Sequence, residues 1–187
     1  RFLSDNVGKV FSASSIVKYL KSQQVDSSTK IILNYLEYLC NAYIINRVNR
    51  YDIHGKRLFE LNDKFYFEDI GIRNSLIGNG QISGIEKVME NAVFLHLVRL
   101  GYEVTVGQLQ KAEIDFVAQK KGQTVYIQVS YLLASEETVK REFGNLALIR
   151  DNHTKLVVSI DEFFDNMNEN GIRHIHLRQF LQMKEIL

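Results

Sequence analysis

Apolar positions in the first third of the chain recur at helical spacing and then switch to alternation. Ile16, Val17, Tyr19 and Leu20 follow Ser12, whose hydroxyl suits the start of a helix. After the turn Gln23-Gln24-Val25, Asp26 or Ser27 is expected to cap a second helix. It carries Ile31, Ile32, Tyr35, Leu36, Leu39 and Cys40. Two short helices joined by a tight turn predict a helix-turn-helix. Tyr43 to Tyr51 alternates beyond Ile45, and the turn His54-Gly55-Lys56 leads into Arg57 to Leu61. That pattern predicts a β-hairpin, so residues 1–70 read as a winged helix with Lys56 and Arg57 at the tip of the wing. Tyr35, Tyr38 and Tyr43 are expected in its core.

Residues 71–80, rich in Gly, Asn and Ser, read as a linker. Gly78-Asn79-Gly80 lacks a following Gly-Lys-Ser/Thr, so it is no phosphate loop. From 81 to 187 the pattern changes again. A helix over about 85–100, apolar almost all round in its second half, ends at Gly101. Strands follow at 102–106, 114–119 and 124–132, with Lys120-Lys121-Gly122 as a hairpin turn. Ser135 caps a further helix, residues 155–160 form an apolar run suited to a strand buried on both faces, and a strand at 172–177 precedes a last helix at 178–186. The order αβββαββα predicts an α/β sandwich with a mixed sheet, α+β for the chain as a whole.

Composition narrows this little. The chain has 187 residues, 45% of them hydrophobic, enough to bury an ordinary core. Net charge is +1, but residues 1–60 hold nine Lys/Arg against five Asp/Glu. That imbalance suits a nucleic-acid contact in the first third, or an ordinary solvated surface equally well. One cysteine, Cys40, excludes an internal disulfide and a cysteine zinc site, and fits a reducing, cytoplasmic setting. No stretch approaches the length of a membrane span, so no membrane partner is expected. The first residue is Arg1 rather than Met, so a longer protein is expected.

The chemistry of interest gathers in the second half. A magnesium nuclease needs hard oxygen ligands converging on one cation, and a positive side chain beside the attacked phosphate. Glu90 on the long helix, Asp115 on an inward-looking strand and Gln128 on its partner occupy the ligand positions. Gln128 offers an oxygen without charge, and Ser130 stands where an ammonium would be needed. Lys140 on the following helix is the candidate stand-in. His174 and His176 share one strand face, a spacing that suits a metal pair but is commoner for bystander histidines. Lys30 and Asn34 on the second helix, with Lys56 and Arg57, are the candidate DNA contacts.

The element order with Glu90, Asp115 and Gln128-Val129-Ser130 resembles the PD-(D/E)xK nuclease superfamily, which has a restriction-endonuclease-like fold. More closely, the whole chain resembles the C-terminal region of a family of bacterial and archaeal AAA-type ATPases. There a winged helix follows the ATPase module and a nuclease-like domain of unknown function closes the chain. The resembling stretches include Tyr35–Leu39, Lys64–Gly71, Glu90–Phe94 and Glu113–Val117. The resemblance implies a nucleic-acid-associated module with an upstream ATPase domain as partner and weak Mg2+ binding at Asp115, Glu90 and Gln128. The departures at Gln128 and Ser130 fall on the catalytic pair and imply weak or absent hydrolysis. A magnesium-dependent DNA endonuclease and a protein-interaction platform are the alternatives.

Overall fold

A computed structural model describes residues 1–59, 62–78, 84–109, 112–133, 135–162 and 168–186. The elements in chain order are α1 (Phe2–Asp5), α2 (Ala13–Ser22), α3 (Thr29–Asn41), β1 (Ile45–Val48), β2 (Arg50–Asp52), β3 (Arg57–Leu58), β4 (Lys64–Phe67) and α4 (Ile70–Ile77). There follow α5 (Ile85–Arg99), β5 (Glu103–Leu109), β6 (Ala112–Lys120), β7 (Gln123–Val129), α6 (Glu136–Ala147), β8 (Thr154–Ser159), β9 (Asn168–Glu169), β10 (Ile172–His176) and α7 (Leu177–Gln182). The class is α+β with a mixed sheet. Two compact units form, Arg1–Arg50 with Phe59–Ser83, and Tyr51–Leu58 with Gly84–Leu187.

In the first unit, Ser12 Oγ accepts from the Ser15 N–H at 3.2 Å and starts α2. Ser28, not Asp26 or Ser27, caps α3 by accepting from Ile31 N–H at 3.3 Å. An N-cap oxygen serves the N–H three residues on, and Ser28 is the residue so placed. Ile32 and Leu36, one turn apart, are the buried stripe of α3. Tyr35 and Tyr38 point away from it at 60% and 61% exposure, and Tyr43 is 80% exposed. These three tyrosines are therefore surface residues, contrary to the core role expected for them. β1 pairs antiparallel with β4, Ile45 opposite Phe67, while Asp69 Oδ1 accepts from Ile72 N–H at 2.9 Å and starts α4. So residues 71–77 of the expected linker lie in a helix. Its Arg73 is buried and donates to the Ser4 carbonyl at 3.2 Å, which anchors the segment despite its glycine-rich sequence. Residues 79 and 80 of the expected linker lie outside the described residues.

The second unit is built on an eight-stranded sheet in the order β3-β2-β5-β6-β7-β8-β10-β9. The hairpin at His54–Lys56 does form, Tyr51 opposite Leu58, but the long strand expected over 43–51 divides near Asn49. Its first part pairs with β4 and its second, β2, neighbours β5. β5, β6 and β7 are antiparallel, and β7, β8 and β10 run parallel. Burial fits the parallel part: β8 is shielded along Leu156–Ser159. Phe116 of β6 meets Phe94 of α5 on one face of the sheet. Val117 and Tyr126 pack with Phe143 and Leu146 of α6. No helix among the described residues is long and apolar enough to cross a membrane.

Candidate functional site

The central strands bring Asp115 and Gln128 together through an irregularity in β6. Thr105 pairs with Val117 and Gly107 with Ile114, so three steps on β6 face two on β5. The extra residue falls at Asp115–Phe116, a β-bulge. The shift makes Ile114 and Val117 members of one core cluster although they are an odd number of residues apart. Gly107 is the residue this geometry requires on β5. A Cβ there would stand 2.8 Å from Ile53 Cδ1 and 2.9 Å from both Ile114 Cβ and Val117 Cγ2.

Beyond Phe116, which pairs with Ile127, side chains take over from the backbone ladder. The Asp115 N–H donates to Gln128 Oε1 at 3.4 Å, and Asp115 Oδ2 accepts from the Val129 N–H at 2.8 Å. Gln128 is only 8% exposed. Its amide oxygen does what a backbone carbonyl would do in an unbroken ladder, satisfying an N–H that the bulge frees. Ser130 is also buried, and its hydroxyl donates to the Leu132 carbonyl at 3.3 Å. Both departures from a metal-site pattern thus have a structural use in the chain that carries them.

The other candidates lie on separate elements. Glu90 is half-buried on α5, which packs over β5, β6 and β7. Lys140 is exposed on α6, while Glu142, Phe143 and Leu146 form that helix's buried edge. Among the described residues no group of three or more His, Cys, Asp and Glu could hold a metal ion. His174 is fully buried, its Nε2 2.8 Å from Ser159 Oγ, and that hydroxyl also accepts from the Asp161 N–H. His176 Nδ1 accepts from the Arg178 N–H and starts α7. Both histidines are thus engaged within the fold. Lys30 and Asn34 are exposed on α3 in the first unit, Lys56 and Arg57 on the hairpin of the second. Arg57 Nε lies 3.7 Å from Asp52 Oδ2.

Two groups escaped the sequence reading. Glu142 is buried, with Oε1 held by Arg141 at 2.7 Å and Oε2 lacking a hydrogen-bond partner. Its position between Val139 and Leu146 at helical spacing was a usable signal. The second group surrounds Asp151. Tyr126 Oη donates to Asp151 Oδ2 at 2.7 Å, the His153 N–H donates to Oδ1 at 3.1 Å, and Lys155 Nζ lies 3.6 Å from Oδ1. Burial pushes the Tyr126 phenol well up, and the Asp151 hydrogen bond and charge add to the shift. Burial would raise Asp151, but Tyr126, the His153 N–H and the charges of His153 and Lys155 outweigh it and hold the carboxyl below its ordinary value. No local pattern announced this network, because its members come from β7, β8 and the loop before β8.

Comparison with known proteins gives relatives without an assigned activity. The family model of a domain of unknown function (DUF8612) matches residues 1–83. An uncharacterized protein of Haemophilus influenzae is 36% identical over 180 residues, covering 96% of this chain and 44% of that protein. The uncharacterized protein MJ1544 of Methanocaldococcus jannaschii is 28% identical over 174 residues, covering 88% of this chain and 38% of its own length. The chain therefore spans less than half of these curated relatives. No solved structure matches it.

Proposed function

We propose that this chain is the nucleic-acid-associated C-terminal part of an AAA-type ATPase, a winged helix followed by a restriction-endonuclease-like domain whose site no longer cuts. The observation that carries this reading is the exchange between Asp115 and Gln128. A hydrolytic magnesium site needs negatively charged oxygens free to turn toward a cation. Here one Asp115 oxygen serves the Val129 N–H, and the Gln128 oxygen, which carries no charge, serves the Asp115 N–H. Magnesium bound at Asp115, Glu90 and Gln128 would be held weakly. The upstream ATPase domain is the intended partner, and the greater length of the relatives leaves room for one in those proteins.

The test is magnesium titration against supercoiled DNA, with Asp115→Ala as control, beside duplex binding measured over a salt series. The expected result is binding that weakens with salt and no cleavage above background. Cleavage that Asp115→Ala abolishes would replace this reading with the endonuclease. Binding unchanged in Lys30→Ala/Asn34→Ala would remove α3 from the interface.

One observation favours a second reading, a protein-interaction platform. Ile31, Leu33, Tyr35 and Tyr38 are all exposed on α3, an apolar and aromatic surface more typical of protein contacts than of a phosphate-facing helix. Absence of duplex binding at low salt would favour it.

A further inference from the structure

The second unit contains a cleft of about 420 Å³ that no sequence motif marked. Its walls come from the β2–β3 hairpin, from β6 and β7, and from the loop before β8, with Tyr51, Lys56, Tyr126, Arg150, Asp151 and His153 carrying its chemistry. The volume lies within the range of small-molecule sites. The larger concavity at the β6–β7 turn, about 540 Å³, is a weaker candidate. There Lys120 already donates to the Leu100 carbonyl at 2.7 Å, and Glu103 offsets the charge.

Electrostatics distinguishes the smaller cleft. Lys56 and Arg150 reach it from separate segments, and among the described residues neither pairs with a carboxylate. The acid present, Asp151, is already matched by Tyr126, the His153 N–H and Lys155. Two uncompensated cations around one concavity favour an anion, and Arg150 can meet a phosphate through two parallel N–H bonds. Beside them stand rings. His153 is exposed with its centroid 6.1 Å from that of Tyr126, and Tyr51 is half-buried in the same wall. A planar base can stack on such faces without sequence preference.

We infer that this cleft binds a nucleotide unit, its phosphate on Lys56 and Arg150 and its base against the His153 and Tyr51 rings. The unit comes either free or as one residue of a single strand. The inference deepens the nucleic-acid reading above by naming a binding place for it, and it moves Lys56 from a wing tip to the rim of a cleft in the second unit.

The experiment uses the full chain with two probes, thymidine 5′-monophosphate followed by calorimetry and a short fluorescent oligothymidylate followed by anisotropy. The variant is Lys56→Asn/Arg150→Ala. Asn suits position 56, where φ is +50°, and both side chains are exposed, so folding should survive. Lys9→Ala/Lys18→Ala, on exposed positions of the first unit, matches the charge change. The expected result is loss of about tenfold or more in affinity for at least one probe in the first variant, and less than about twofold in the second. Binding of both probes identifies a free-nucleotide site, and binding of the oligonucleotide alone identifies a strand site. Equal losses in both variants, or no binding of either probe to the unaltered chain, overturn the proposal. Duplex binding that persists while the cleft variant behaves as the unaltered chain sinks the cleft but spares the broader reading. Nucleotide binding without any duplex binding does the reverse.

Discussion

Asp115, Gln128 and Gly107 form a unit whose logic is local geometry. Removing the Asp115 carboxylate in Asp115→Ala leaves the Val129 N–H without its acceptor and should lower stability by about 1–2 kcal/mol in urea unfolding. Gly107→Ala should cost about 1–3 kcal/mol, because its three close neighbours belong to the core and cannot all retreat. Gln128→Glu keeps an acceptor for the Asp115 N–H but sets two carboxylates side by side. In EDTA it should lose about 1 kcal/mol. If the frame is that of a metal site, magnesium restores the loss, most fully in Gln128→Glu/Ser130→Lys, and cleavage appears. An unfolding midpoint indifferent to magnesium would limit the resemblance to the fold. Tyr126 and Asp151 make a further prediction at both ends of the pH scale. The phenol is raised in the folded chain, so its contribution is complete below about pH 10 and falls as pH rises beyond that. The carboxyl is lowered, so its contribution is complete above about pH 4 and is lost as pH falls further. Tyr126→Phe should flatten both limbs of the stability profile; steep limbs in the variant would show that the pair does not set them.

Helix α3 shows how one element can be read correctly for its type and wrongly for its orientation. Ile31, Ile32, Tyr35, Leu36 and Leu39 announce a helix, and a helix is there. The apolar residues outnumber the buried positions, so periodicity could not say which of them face inward. The structure chooses Ile32 and Leu36. Leu36→Ala should cost about 2–5 kcal/mol, whereas Tyr35→Ser/Tyr38→Ser should change stability by less than about 0.5 kcal/mol and alter only binding. A large stability loss in the tyrosine pair would contradict the exposed placement. Helix α4 is the opposite case. Its glycine and asparagine content suggested a linker, yet the Asp69 cap and the buried Arg73 hold a helix. The bond that settles it reaches from residue 73 to residue 4, beyond any local window.

At the scale of the whole molecule, the segment Tyr51–Leu58 decides where the chain can be divided. It lies in sequence within the first unit but supplies β3 and most of β2 to the sheet of the second. A fragment of residues 84–187 would lack those strands, expose the edge of β5 and lose the Ile53 contact against Gly107. It should be less stable in urea than the same unit in the full chain, and should self-associate in size-exclusion chromatography. A monomeric fragment of unchanged stability would show that the hairpin is dispensable. The amino-acid sequence by itself determined the long helix, the strands that follow it with the hairpin turn at Lys120–Gly122, the doubly buried strand near 155–160 and most helix starts, because periodicity and capping act over a few residues. It also singled out Asp115, since a charge on an inward-looking strand is costly unless held, and Gln128, as an uncharged residue at an expected acid position. Tertiary structure alone decided which strand the hairpin joins, which side of α3 is covered, the bulge that turns Gln128 into a partner of the Asp115 backbone, and the cleft around Asp151. Each of these depends on pairing between segments far apart in the chain, and such pairing leaves no mark in the spacing of neighbouring residues.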